Sequence, residues 1–201
     1  VAEACRQHRD VDGQPLHCTV IGTGCIYAYD STAGHPRGGD ASTAFTEDDP
    51  PNFLGNVYAR LRVSLEQLVQ AFPNVLLLRV TYPVDCETMH PRSLAGKLLR
   101  FTKITTEPTS ITVIDDLWPR ISRLVKSRVT GLLNFNNKGL IDNNRILELW
   151  KQNADPSHPQ WQIDGTVCVE GSRAYAHLSC AKLEKMDTPF HVPTAEEAIK
   201  V

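Results

Sequence analysis

Residues 56–82, NVYARLRVSLEQLVQAFPNVLLLRVTY, carry the clearest periodicity in the chain. Val57, Leu61, Leu65, Leu68, Val69 and Phe72 recur at helical spacing and form one apolar stripe, the side that an amphipathic helix normally turns to its core. Pro73-Asn74 ends the helix, and Val75 to Leu78 give an unbroken apolar run that stops at Arg79. A run without alternation is expected of a strand covered on both faces, as in a parallel sheet. Upstream, Val1–Arg9 reads as the tail of a helix closed by the turn Asp10 to Gly13, and LHCTVI (16–21) as a short strand. Downstream the pattern repeats. SITVID (110–115) and GLLNFNN (131–137) are predicted strands. DLWPRISRLVKSR is a predicted helix with Pro119 in its first turn, where proline is tolerated. NNRILELWKQN is another, capped by Asp142 or Asn143. Strands alternating with helices imply crossover units and a mostly parallel sheet. Residues 154–192 are less regular, with TVCVEG as a strand and SCAKLEKM as a short helix, and Thr194 with Glu197 forms a capping box for a last turn.

At 201 residues the chain is long enough for one domain with a full core. A net charge of −2 with no dense basic cluster argues against nucleic acid or an anionic membrane as partner. No stretch reaches the ~20 apolar residues that span a bilayer. The six cysteines (Cys5, Cys18, Cys25, Cys86, Cys168, Cys180) are scattered without a CxxC pair, which suits free thiols in a reducing compartment, the cytoplasm. The seven histidines are dispersed, so no metal is expected. The chain opens on Val1 in mid-helix and reads as a fragment.

Candidate chemistry sits at three places. Tyr58 and Arg62 lie four residues apart on the central helix, so a fixed cation can stand beside a phenol and favour release of its proton. The alternative is that Tyr58 only packs while Arg62 pairs with Glu66, also four residues on. At the carboxyl end of the first strand, Gly22-Thr23-Gly24-Cys25 offers a hydroxyl and a thiol on a backbone that a ligand could approach, in the region where open α/β sheets bind ligands. A plain turn with a buried cysteine is equally compatible. Residues 30–55 form a long polar loop ending in TEDDPPNF, with Asn56 as the helix cap. After Pro91 a short helix, roughly 92–101, carries Lys97, which by itself reads as an ordinary solvated lysine.

Together these blocks carry a resemblance. Thr23 after a strand, Tyr-x-x-x-basic at 58–62 and a strand ending Arg79-Val-x-x-Pro83 resemble the extended short-chain dehydrogenase/reductases. TGCIYAYD (23–30), FTEDDPPNFLGNVYARLR (45–62), NVLLLRVTYP (74–83), HPRSLAGKLLRF (90–101), SITVIDDLWP (110–119) and GLLNFNNKGLIDNNRILELWK (131–151) are similar to the plant-type nucleotide-rhamnose synthases, relatives of dTDP-4-dehydrorhamnose reductase. The resemblance implies an α/β fold, the C-terminal part of a Rossmann-like doubly wound parallel sheet with a small substrate-binding region. It implies one partial domain over 1–201, with 1–82 and 110–153 in the core and 83–109 and 154–201 as substrate-binding segments. The implied activity converts a nucleotide-4-keto-6-deoxyglucose to nucleotide-L-rhamnose by epimerisation and reduction, with NADPH or NADH as cofactor and a homodimer as assembly. Under it Thr23 binds the substrate carbonyl, Tyr58 is the catalytic acid, Cys25 and Lys97 are the epimerisation pair, and Tyr58, Arg62 and Pro83 contact the cofactor.

Two departures from that family's pattern stand out. Arg62 occupies the position of a lysine, and arginine binds as a planar fork and does not give up its proton. Nothing in the chain reads as the strand–glycine-rich turn–helix unit that cradles a dinucleotide pyrophosphate. The alternative to an enzyme is therefore a non-catalytic relative that binds a nucleotide sugar or a protein partner.

Overall fold

The computed structural model describes residues 1–85, 90, 92–163, 173–186 and 191–199. Its centre is a parallel three-stranded sheet ordered β1-β2-β6, with β1 Cys18–Thr23, β2 Val75–Val80 and β6 Gly131–Phe135. The apolar run is the middle strand. Leu76 and Leu78 face one side, where they meet Leu133 and Phe135 of β6 and Leu117, Leu124 and Leu183. Val75 and Leu77 face the other, against Val69. Both faces are covered, as the absence of alternation requires. Leu117 belongs to α4 (Ile114–Leu117), Leu124 to α5 (Ile121–Lys126), Leu183 to α7 (Ala181–Met186) and Val69 to α2 (Val57–Val69). Helices thus cover both sides of the sheet, and the chain has the Rossmann-like α/β fold expected from its sequence.

A second apolar cluster lies beside the sheet. It joins Val84 of β3 (Pro83–Val84) and Val113 of β5 (Thr112–Val113), which pair in parallel, to α3 (Leu94–Leu98), α6 (Asn143–Asn153) and α8 (Ala195–Ala198). Two further strands, β4 (Lys103–Ile104) and β7 (Gln162–Ile163), also pair in parallel. The caps expected at Asn56, Asp142 and Thr194 are present, and Ser93 adds an unexpected one. Asn56, Ser93 and Asp142 each accept the backbone N–H three residues on, and Thr194 and Glu197 form a reciprocal capping box.

Several expectations are corrected. The first helix, α1, covers only Ala2–Gln7. The strand expected over 110–115 is two residues long, because Asp115 and Asp116 already lie in the first turn of α4. Pro119 does not open a helix. It sits in a 3-10 turn, Trp118–Arg120, which separates α4 from α5. TVCVEG lies outside the described residues, as do Cys86 and Cys168. The largest correction concerns α2. Val57, Leu61 and Leu68 of the predicted stripe are 61%, 65% and 63% exposed, and Leu65 and Phe72 are half-buried. The buried side instead carries Ala59, Glu66 and Val69.

Glu66 explains that rotation. Arg79, on the α2 side of β2, donates from Nε to Glu66 Oε2 (2.9 Å) and from the guanidinium NH2 to Oε1 (2.7 Å), and both residues are buried. The same guanidinium lies over the Tyr27 ring (5.3 Å) and donates to Asn134 Oδ1 (3.4 Å). A two-pronged bond between buried charges outweighs the placement of three leucine-sized side chains, because either charge left alone inside the protein is very costly.

The long loop 30–55 is ordered by polar groups on β6 and by residues 175–180. Asn134 Nδ2 donates to the carbonyls of Phe45 and Ser179 (both 3.1 Å), and the Asn134 N–H donates to Glu47 (2.8 Å). Asn136 Nδ2 donates to the Leu178 carbonyl (3.1 Å). The strand's carboxyl end thus spends its asparagines on satisfying loop backbone.

Candidate active site

β1 and β2 end together, with Thr23 opposite Val80, and the Gly24 N–H donates to the Val80 carbonyl (2.8 Å). The glycines here serve the protein's own packing. A Cβ on Gly22 would come 2.5 Å from Leu77 Cδ2, and one on Gly24 would collide with Leu178 Cδ1. Beyond this edge the chain turns so that the Cys25 N–H donates to Thr23 Oγ1 (3.1 Å). Thr23 is buried, and its hydroxyl proton remains available to an acceptor.

Cys25 and Tyr58 line one niche of about 220 Å³, together with Phe53, Asn56, Tyr82, Arg173 and Ala174. The Asn56 cap fixes the first turn of α2, and Tyr58, in that turn, is half exposed. Arg62 does not pair with Glu66. Its guanidinium stands 5.1 Å from the centroid of the Tyr58 ring, over its face. Two phenols lie away from the niche. Tyr27 donates to the Asp49 carbonyl (2.7 Å) and Tyr29 to that of Pro108, and burial pushes both well above the usual tyrosine range. Burial pushes the Cys180 thiol up to about 11 and also raises that of Cys18.

A larger cavity of about 570 Å³ adjoins the niche. Lys97, Lys103 and Arg173 give it cationic groups, Thr105 and Asn143 neutral polar ones, and Leu94, Phe101 and Ile104 part of an apolar wall. Lys97, held on α3 by the Ser93 cap, faces this cavity and does not line the niche with Cys25. Tyr82 and Arg173 line both spaces. Pro83, the first residue of β3, is exposed and lines neither. The five expected catalytic residues therefore fall into two groups, Thr23, Cys25, Tyr58 and Arg62 around the niche and Lys97 in the space next to it.

No family model matches the chain. It is 38% identical over 204 residues to the bifunctional dTDP-4-dehydrorhamnose 3,5-epimerase/dTDP-4-dehydrorhamnose reductase of Arabidopsis thaliana, covering 100% of this chain and 64% of that protein. It is 34% identical over its whole length to a trifunctional Arabidopsis thaliana UDP-glucose 4,6-dehydratase/UDP-4-keto-6-deoxy-D-glucose 3,5-epimerase/UDP-4-keto-L-rhamnose-reductase, covering 29% of it. Among solved structures, the UDP-rhamnose synthase of Acanthamoeba polyphaga mimivirus superposes with a TM-score of 0.77 at 29% identity, over 91% of this chain and 64% of that one. Its homologues are the plant rhamnose synthases and the dTDP-4-dehydrorhamnose reductases. A Bacillus anthracis dTDP-4-dehydrorhamnose reductase in complex with NADP shares the fold at 15% identity, with a TM-score of 0.69 over 91% of this chain and 63% of that one.

This chain spans less than two thirds of the length of the curated relatives it matches. Three features of its site had no signal in the sequence. Tyr82 has φ 41°, a left-handed conformation that costs a non-glycine residue about 1–2 kcal/mol. Arg173 reaches the site from a stretch without periodicity. Asn143, readable only as a helix cap, lines the larger cavity.

Tyr58 and Arg62 are the groups of this chain that could hold one end of a nicotinamide dinucleotide. A half-exposed phenol and a guanidinium flank the carboxyl edge of β1 and β2, where doubly wound folds bind such groups. Among the described residues the three strands of the central sheet include no strand–glycine-rich turn–helix unit, so no pyrophosphate contact is assigned to this chain.

Proposed function

We propose that this chain supplies the substrate-binding and proton-transfer groups of a nicotinamide-dependent epimerase/reductase that converts a nucleotide-4-keto-6-deoxyglucose to nucleotide-L-rhamnose. The observation that carries the reading is that Cys25 and Tyr58 line one niche, with Thr23 bonded to the Cys25 backbone and a cationic cavity next door. Named enzymes among the relatives favour catalysis over a non-catalytic binding role.

In the proposed reaction the sugar enters the niche, its diphosphate meets Lys103 and Arg173, and Lys97 reaches the sugar from the neighbouring cavity. Protons on the carbons flanking the 4-ketone are acidic, and Cys25 and Lys97 exchange them, one removing and the other returning a proton on each centre. The Thr23 hydroxyl donates to the ketone oxygen. A nicotinamide held beside Tyr58 and Arg62 would supply the hydride that reduces the ketone. Tyr58 gives the carbonyl oxygen its proton, with Arg62 stabilising the phenolate that remains. Residues 83–109 and 154–201 act as substrate-binding segments, a division supported by the Leu94 to Thr105 and Arg173 lining of the larger cavity.

The epimerisation roles have a direct test. In deuterated water, the complete enzyme carrying Cys25→Ser or Lys97→Met is expected to lose exchange at carbons 3 and 5 while still reducing an already epimerised keto-sugar. Normal exchange in both variants, followed by proton NMR, would remove the pair from the mechanism.

The assembly is a homodimer in this proposal. Val57, Leu61 and Leu68 are each more than half exposed and follow one side of α2, with half-exposed Leu54 just before the helix, and such an apolar strip can meet its own copy across a two-fold axis. Light scattering is expected to give a dimer that Leu61→Glu converts to monomer, and a monomeric parent protein would refute it. A cytoplasmic setting is supported by the free thiols of Cys5, Cys18, Cys25 and Cys180, and imaging of a fluorescently tagged chain in cells checks it.

A further inference from the structure

Tyr82 holds an unfavourable backbone conformation between two fixed anchors. On one side the Thr81 N–H donates to Thr112 Oγ1 (3.0 Å) and the Thr112 N–H donates to the Thr81 carbonyl (2.7 Å). On the other, Pro83 is in register with Thr112 in the β3–β5 pair, and as a proline it also restricts the residue before it. With φ at 41° the residue breaks the direction of the extended chain, and its ring lies tilted against Tyr175, with centroids 6.5 Å apart. Strain that the surroundings hold in place is found where it sets the position of a functional group. Here that group is one of two side chains lining both the Cys25–Tyr58 niche and the Lys97–Lys103 cavity.

We infer that Tyr82 is a specificity-determining residue of the proposed reaction, its ring being the wall across which a nucleotide sugar is laid, sugar in the niche and diphosphate in the cationic cavity. The assignment rests on the proposed function of this site. A flat, rigid ring with an apolar face and a polar edge suits the junction between a pyranose and a charged diphosphate. A ligand occupying only the cationic cavity has no need of that junction. Tyr82 therefore acts on nucleotide sugars and hardly at all on free nucleotides.

Calorimetric titration of the parent protein, Tyr82→Phe and Tyr82→Gly with UDP-glucose and UDP, and with dTDP-glucose and dTDP in parallel, tests this. The parent and Tyr82→Phe are expected to prefer the nucleotide sugar over the nucleotide. Tyr82→Gly is expected to lose about tenfold in affinity for the sugar conjugate while binding the nucleotide within about twofold of the parent. Its melting temperature should stay within about 3 °C, since glycine adopts this φ without strain and so offsets the lost packing. A Tyr82→Gly variant that keeps the preference overturns the inference alone. So does one that weakens both ligand types equally with a lowered melting temperature, which marks a purely structural residue. A parent protein that binds none of the four ligands overturns the reading of the site, and this inference with it.

Discussion

Replacing Glu66 with alanine is expected to cost about 3–5 kcal/mol of folding stability, because it strands the Arg79 guanidinium inside the protein without its carboxylate. Arg79 is 1% exposed and Glu66 4%. Both guanidinium bonds to Glu66 would be lost, leaving a 3.4 Å contact to Asn134 and a 3.5 Å contact to the Thr46 carbonyl. Neither is strong enough to replace a carboxylate. The double variant Glu66→Leu with Arg79→Met is expected to recover most of the loss, since a buried ion pair can be exchanged for apolar groups of similar volume at little cost. Urea unfolding of the parent, the single and the double variant gives the three free energies. A single-variant cost under about 1 kcal/mol would mean that water reaches the pair. The pair also fixes which side of α2 faces the sheet, so the site and the stability of this helix are coupled. In Glu66→Ala the outward strip of Val57, Leu61 and Leu68 gains a competing inward orientation.

The second large effect is kinetic. In the complete enzyme, Tyr58→Phe is expected to lower the reduction rate by about 10²–10⁴, the usual contribution of a positioned general acid. Phenylalanine keeps the ring that Arg62 covers and removes only the hydroxyl, so folding should be unchanged. Arg62→Lys is expected to raise turnover. The arginine lies over the ring face at 5.1 Å, whereas a lysine ammonium on a rotatable stem can reach hydroxyl groups of a bound ribose. Both rates are read under saturating NADPH, side by side with the parent. A lower turnover in Arg62→Lys would show that the stacked guanidinium is an adapted part of the site. An unchanged rate in Tyr58→Phe would show that α2 carries no chemistry.

The sequence by itself determined the layers of this protein and the identity of its candidate chemical groups. Val75 to Leu78 read as a strand covered on both faces, because along a strand four consecutive apolar residues alternate sides and all need burial. The caps at Asn56, Asp142 and Thr194 follow from local hydrogen bonding that needs no distant partner. Thr23, Cys25 and Tyr58 were legible because they follow or open regular elements, and co-linear blocks of similarity run through them. Tertiary structure decided the rest. Periodicity reports where apolar residues lie around α2, not which side meets the sheet, and that choice was made by Arg79, thirteen residues from Glu66. Ordering of loop 30–55 depends on Asn134, far along the chain, whose amide looks like an ordinary strand residue until the Phe45 carbonyl arrives to accept from it. Lys97 was placed in a neighbouring cavity by the packing of α3, and Tyr82 and Arg173 entered the site through a backbone conformation and a long-range approach. Local propensity and periodicity describe a residue and its near neighbours, whereas a site is built from contacts between residues that only the folded chain brings together.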